Sequence, residues 1–164
     1  MKKIIALILT LVALLSFVSC GQKAYEATAK SFSANGMTIK LTEAFKSVSM
    51  AGYAAVYEAS ETVVYVSNQQ MSEFDKVKEM SLEKYVGFFR DSNKSKTPSE
   101  TKTDGDVIYI EYSSTGEGNV VYKYLTAFFE GDGVYVRVEF VAEDKNYEEY
   151  RPYFINWAKT VTFA

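Results

Sequence analysis

There is no histidine among the 164 residues of this chain. That absence removes the usual general base near neutral pH and the commonest metal ligand. Cysteine occurs once, at position 20. No disulfide can therefore close within the chain, and the fold must rest on its core alone. The missing histidine also excludes Cys-His and Ser-His nucleophilic chemistry, and no Gly-x-Ser-x-Gly elbow is present. A phosphate-cradling glycine loop is missing as well, because Gly116-Glu117-Gly118 joins two strand-like runs and opens no helix. Basic clusters are also lacking: 18 Lys and Arg face 21 Asp and Glu. A mildly acidic chain of this kind is not built for nucleic acid or for electrostatic docking on anionic lipid.

What is present first is an export signal. Lys2 and Lys3 precede an apolar run from Ile4 to Val18, and Ser19 places a small residue before Cys20. The run is about 15 residues, short of the roughly 20 that a spanning helix needs. Leu15-Ser16-Phe17-Val18-Ser19-Cys20 resembles the lipobox of bacterial lipoproteins. That resemblance implies a diacylglycerol on the Cys20 thiol, loss of residues 1–19 and usually acylation of the new amine. Phe17 departs from the pattern, in which Leu is usual three places before the cysteine. The other readings are a cleaved signal with an incidental thiol and an uncleaved anchor. On the lipoprotein reading, residues 1–19 are a signal helix, 20–27 a lipidated tether and 28–164 a single domain. Removing residues 1–19 leaves 145 residues with a formal charge of −5, enough for one core and too few for two. The expected place is the bacterial cell membrane, on its extracytoplasmic face, held there by lipid.

Along the domain, Asn35-Gly36 favours a type I′ turn and closes a hairpin between Thr28–Ala34 and the alternating Met37–Leu41. Thr42 to Phe45 reads as one helical turn. Tyr53–Glu58 and Thr62–Ser67 read as a strand pair. Ser72 and Ser81 stand at helix N-cap positions, with Asp75 three residues after the first. Leu82, Tyr85, Val86 and Phe89 form one apolar stripe, predicting a helix over Leu82 to Asp91. Asp91 to Pro98 reads as a polar loop and Glu100 to Lys102 as a short edge strand. Val107 to Ala142 then reads as a three-stranded meander. Turns centred on Glu117 and Asp132 set Tyr112 against Tyr122 and Phe128 against Val136, making one even-numbered apolar face with Tyr112, Tyr122 and Tyr124 in the core. The odd-numbered face holds Tyr109, Glu111, Lys123, Tyr135 and Arg137, with Glu111 opposite Lys123. A closing helix spans Asn146 to Lys159, buries Tyr150, Phe154, Trp157 and Ala158, and takes Pro152 in its first turn or as a kink. Thr160–Phe163 is a last strand. The order predicts an α+β domain, an antiparallel sheet with helices packed on it.

That element order, with the Phe32…Gly36-Met37-Thr38-Ile39 hairpin and the Tyr150-Arg151-Pro152-Tyr153-Phe154…Trp157-Ala158-Lys159-Thr160-Val161 ending, resembles the PsbP-like α/β/α sandwich. Photosystem accessory proteins, a small Ran-binding import factor and many small bacterial lipoproteins share it. The resemblance implies a non-enzymatic binding or accessory role and carries over no functional residue, since the metal-associated photosystem branch uses histidine. Fold alone does not assign function.

For chemistry, the acid pairs Asp104/Asp106, Glu143/Asp144 and Glu148/Glu149 are the carboxylates available to a cell-envelope hydrolase, the alternative to a binding role. Each pair lies in a turn or at a helix start, where acids serve solvation and the helix dipole. Asp104-Gly105-Asp106 and Gly131-Asp132-Gly133 lack the spaced oxygens of a calcium loop, so neither a metal nor another cofactor is expected. The sharper reading is the odd face: aromatics beside charged groups suit a protein, peptide or glycan ligand of the envelope. The other reading is a face covered by a helix, or an ordinary solvated sheet surface where β-propensity favours tyrosine.

Overall fold

The computed structural model describes residues 22–71 and 80–164. The lipobox-like segment with Cys20, and Ser72 and Asp75, lie outside these residues. Ten strands and two α-helices are present among the described residues, in the order β1 (Ala29–Ala34), β2 (Met37–Thr42), β3 (Lys46–Val48), β4 (Ala55–Glu58), β5 (Thr62–Gln70), α1 (Leu82–Ser92), β6 (Lys102–Asp104), β7 (Val107–Thr115), β8 (Val121–Gly131), β9 (Val134–Glu143), α2 (Asp144–Ala158) and β10 (Thr162–Phe163). Seven strands form one antiparallel sheet in the order β3-β4-β5-β9-β8-β7-β6, and β1-β2-β10 form a second, smaller sheet.

Most local signals act as expected. Asn35 and Gly36 both adopt positive φ, 50° and 78°, and close β1 on β2. The Ser81 hydroxyl accepts from the Lys84 amide and caps α1. Tyr85 and Val86 face inward with Phe128 and Ile110. Four departures are local. Thr42 to Phe45 is a hydrogen-bonded turn, with the Phe45 amide donating to the Thr42 carbonyl at 3.1 Å, and it leads into β3. The edge strand is shifted to Lys102–Asp104, paired with β7. Pro152 lies two turns inside α2; it and Glu148, whose carbonyl it leaves without an intrahelical donor, are both exposed to water. The last strand is Thr162–Phe163 alone, and it joins the small sheet beside β2.

The consequential departure is in the meander. The β7–β8 loop closes between Thr115 and Val121, setting Tyr112 against Tyr124, two places from the expected register and of unchanged parity. The β8–β9 connection is a two-residue turn at Asp132-Gly133, with Gly131 opposite Val134 and Gly133 at φ 67°. That slip of one residue reverses β9. Val136, Val138 and Phe140 join the odd residues Leu125 and Ala127, while Tyr135, Arg137 and Glu139 join the even face of β7 and β8.

Each face of the large sheet is thus apolar and each carries a helix. On one, α2 and the small sheet bury the main core, with Phe140, Phe154 and Trp157 in ring contact and Phe32 against Tyr57. On the other, α1 covers Ile110, Phe128 and Tyr135. No helix among the described residues is long and apolar enough to cross a membrane.

The turn at Gly133 holds a backbone that an L side chain resists. Gly133→Ala is expected to lower the unfolding free energy by about 1 kcal/mol. Gly87→Ala, inside α1 with open space at its Cβ, is expected to raise it by ~0.5–1 kcal/mol. Urea unfolding of both variants beside the wild type checks the pair.

Candidate functional site

The reversal of β9 divides the five residues expected on one face. Tyr109, Glu111 and Lys123 lie under α2, and Tyr135 and Arg137 lie on the α1 side. Glu111 stands opposite Leu125 and Lys123 opposite Ser113, so the expected Glu111–Lys123 pair does not form.

Glu111 instead gathers a closed cluster. Its carboxylate accepts from Tyr147 Oη at 2.6 Å, from Arg151 Nε at 2.7 Å and Nη2 at 3.3 Å, and from Lys102 Nζ at 2.5 Å. Arg151 also donates to the Tyr109 hydroxyl at 3.3 Å. The Glu111 backbone is tied too, its amide donating to Ser99 Oγ and its carbonyl accepting from the Ser99 amide. Tyr147 and Arg151 are one helical turn apart and reach the same carboxylate from α2. Burial alone raises the Glu111 carboxyl, but the donors from Arg151, Lys102 and Tyr147 outweigh it and bring it down to about 2. The same contacts raise Arg151, and burial with the Glu111 bond raises the Tyr147 hydroxyl. With its side chain 14 % exposed and its oxygens occupied, Glu111 fastens α2 to the sheet and offers a ligand little. Lys123 does a similar job at the start of α2, pairing with Asp144 at 2.9 Å and Glu148 at 3.5 Å over the Tyr147 ring.

Five of the six acids proposed for hydrolysis are likewise engaged at the surface. Asp104 pairs with Lys159, Glu143 with Lys145, Asp144 and Glu148 with Lys123, and Glu149 with Lys23. Glu83, Glu111 and Glu149 are all shifted downward, so none of these three is held in the protonated form that a general acid needs. Among the described residues, no three His, Cys, Asp or Glu side chains gather as a metal set.

On the opposite face Tyr135 is buried under α1, stacked on Tyr85 at 4.3 Å with its hydroxyl on the Met80 carbonyl. The Arg137 guanidinium lies 4.7 Å from the centre of the Phe89 ring. Beyond them, toward the end of the sheet that carries the β4–β5 and β7–β8 turns, this face becomes tyrosine-rich. Tyr112 and Tyr124 stack at 4.7 Å, and Tyr53 leans on Tyr65 at 4.8 Å. Glu139 is in register with Tyr65 and Thr126, and the Tyr112 hydroxyl points to it at 3.5 Å. Tyr112 and Tyr122 are buried as expected, whereas Tyr53, Tyr65, Tyr124 and Glu139 stay half-buried. Burial pushes Tyr65 up to about 12, and Tyr53 and Tyr124 upward for the same reason. These hydroxyls therefore remain neutral donors and acceptors at neutral pH.

Arg151 and Tyr147 were missed because nothing in a one-dimensional pattern pairs α2 with β7. The spacing of Tyr147 and Arg151, one helical turn apart, was the available signal. Tyr53 and Tyr65 were visible only as strand residues.

No protein-family model matches the chain. No curated protein matches it in sequence either. The solution structure of cyanobacterial PsbP (CyanoP) from Synechocystis sp. PCC 6803 is similar to it in fold, with a TM-score of 0.57 and 12% identity over 89% of this chain and 98% of that one. The domain is an α+β domain of PsbP-like fold.

Glu111→Gln is expected to lower the unfolding free energy by about 2–3 kcal/mol at neutral pH. The folded carboxyl titrates near 2 against an ordinary 4.5, so the wild-type advantage is complete above that ordinary value. It fades as the pH falls toward the folded value. Urea titrations of both proteins through this acid range check the shape; a gap that does not narrow refutes it.

Proposed function

We propose that this protein is a bacterial lipoprotein, anchored by lipid on Cys20 to the extracytoplasmic face of the cell membrane, whose PsbP-like domain has a non-catalytic binding or accessory role. The observation that carries the reading is the position of the one cysteine, at the end of the apolar run and behind Ser19. A non-catalytic role is supported by the missing histidine and by the Glu111 cluster, whose charges are spent on one another. The PsbP-like fold points the same way, through the accessory roles of the proteins that share it.

The binding face is the tyrosine-bearing half of the sheet, Tyr53, Tyr65 and Tyr124 around Glu139. Half-buried rings beside hydroxyls and a carboxylate offer apolar area and hydrogen bonds together, which suits an envelope protein, peptide or glycan. Tyr109, Glu111 and Lys123 serve the attachment of α2.

Two outcomes follow. Cells fed labelled palmitate incorporate it into the wild type, which sediments with the envelope; Cys20→Ala stays unlabelled, and an unlabelled, soluble wild type overturns the anchor. Mild crosslinking in native envelopes recovers a partner with the wild type, and Tyr65→Ala with Glu139→Gln reduces recovery about tenfold or more, as loss of a central aromatic anchor does. Equal recovery discards this face.

A further inference from the structure

We propose that the lipid holds this domain in one orientation, with the end of the sheet that carries the Ala59–Glu61 and Gly116–Asn119 turns directed at the headgroups. The inference rests on the lipid at Cys20 and concerns what the chain does immediately after it. Residues that sequence composition marks as a tether are docked on the domain from Lys23 onward. Lys23 pairs with Glu61 at 2.9 Å and with Glu149 at 3.5 Å. Ala24 is fully buried; its amide donates to the Tyr150 hydroxyl at 3.2 Å and its carbonyl accepts from Thr42 Oγ1 at 2.5 Å. Tyr25 stacks on Tyr153 at 4.2 Å and 7°, with its hydroxyl bonded to Glu149. Charge, backbone and ring contacts thus fasten three consecutive residues to α2 and to the head of β5.

Only Gly21 and Gln22 separate Lys23 from Cys20. Fully extended, those steps reach about 10 Å. A flexible linker of many residues lets a domain tumble; this one leaves no room for it. The register shows which end is held. Thr62 lies opposite Ala142, Tyr122 opposite Glu143 and Thr115 opposite Val121, so the β4–β5 turn, the β7–β8 turn and the start of α2 share one end. Asp132-Gly133 marks the other. The held end is acidic on balance, since Glu61, Glu117, Glu143, Asp144, Glu148 and Glu149 outnumber Lys23, Lys123 and Lys145, which are paired among them, so attraction to anionic lipid does not place it there. The anchor does. Standing on that end, the sheet turns its tyrosine face sideways, toward neighbours in the same membrane.

Lipidation consumes the only thiol, so single labels can be placed cleanly. Glu117→Cys and Asp132→Cys, both at exposed turn positions, are made in the full chain, lipidated in cells, labelled with a fluorophore and reconstituted in phosphatidylcholine vesicles containing a headgroup quencher. The label at 117 is expected to be quenched at least about fivefold more than that at 132, since roughly 35 Å of β8 separates them. Inserting about ten Gly and Ser residues between Gln22 and Lys23 should erase the difference. Equal quenching in the uninserted lipidated protein overturns the orientation and leaves the anchor standing, as does a difference that survives the insertion. A wild type that takes up no palmitate and does not stay with vesicles overturns both readings.

Discussion

Two residues, Asp132 and Gly133, determine which side of the sheet every residue of β9 faces. Because side chains alternate with a period of two, a turn of two residues and a loop of three give opposite faces to the whole following strand. With the shorter turn, Val136, Val138 and Phe140 meet the helix that follows them, and the main core closes around Phe154 and Trp157. Tyr135, Arg137 and Glu139 go to the other side, where α1 covers the first and the tyrosines surround the last. The location of both helices, and of any binding face, depends on that parity.

The polar groups beneath α2 belong to the architecture. A half-buried carboxylate between a guanidinium, an ammonium and a phenol is costly to desolvate and more costly to leave unpaired. Its directional bonds specify where along β7 the helix sits, which the apolar contacts of Phe154 and Trp157 do less sharply. The cluster has the residue types of an active site, yet its groups satisfy one another. The tyrosine half-face differs in that Glu139 has the Tyr112 hydroxyl near it and no ion pair among the described residues.

A short tether and a docked first segment would give the proposed anchor at Cys20 a mechanical meaning. In a protein joined to its membrane by a long flexible chain, the surface presented to partners is an average over orientations. Here the contacts of Lys23, Ala24 and Tyr25 fasten the segment that follows the proposed attachment point to the rigid body. On the proposed anchor, the face beside the bilayer would be a property of the fold.

Read alone, the sequence sufficed for what local physics controls. Periodicity located α1 and the buried face of α2, Asn35-Gly36 closed the first hairpin, and the element order implied an α+β domain of PsbP-like fold. The apolar run before Cys20 is equally local. Strand parity was not legible, because β8 carries apolar residues on both faces, Tyr122, Tyr124 and Phe128 on one and Leu125, Ala127 and Phe129 on the other. A strand covered by helices on both sides loses the alternation that reports its orientation. Only the tertiary structure settled that Glu111 meets Arg151, 40 residues away, and that Lys123 turns to α2. Long-range pairing depends on the packed core bringing segments together, and no local pattern records which segments those are.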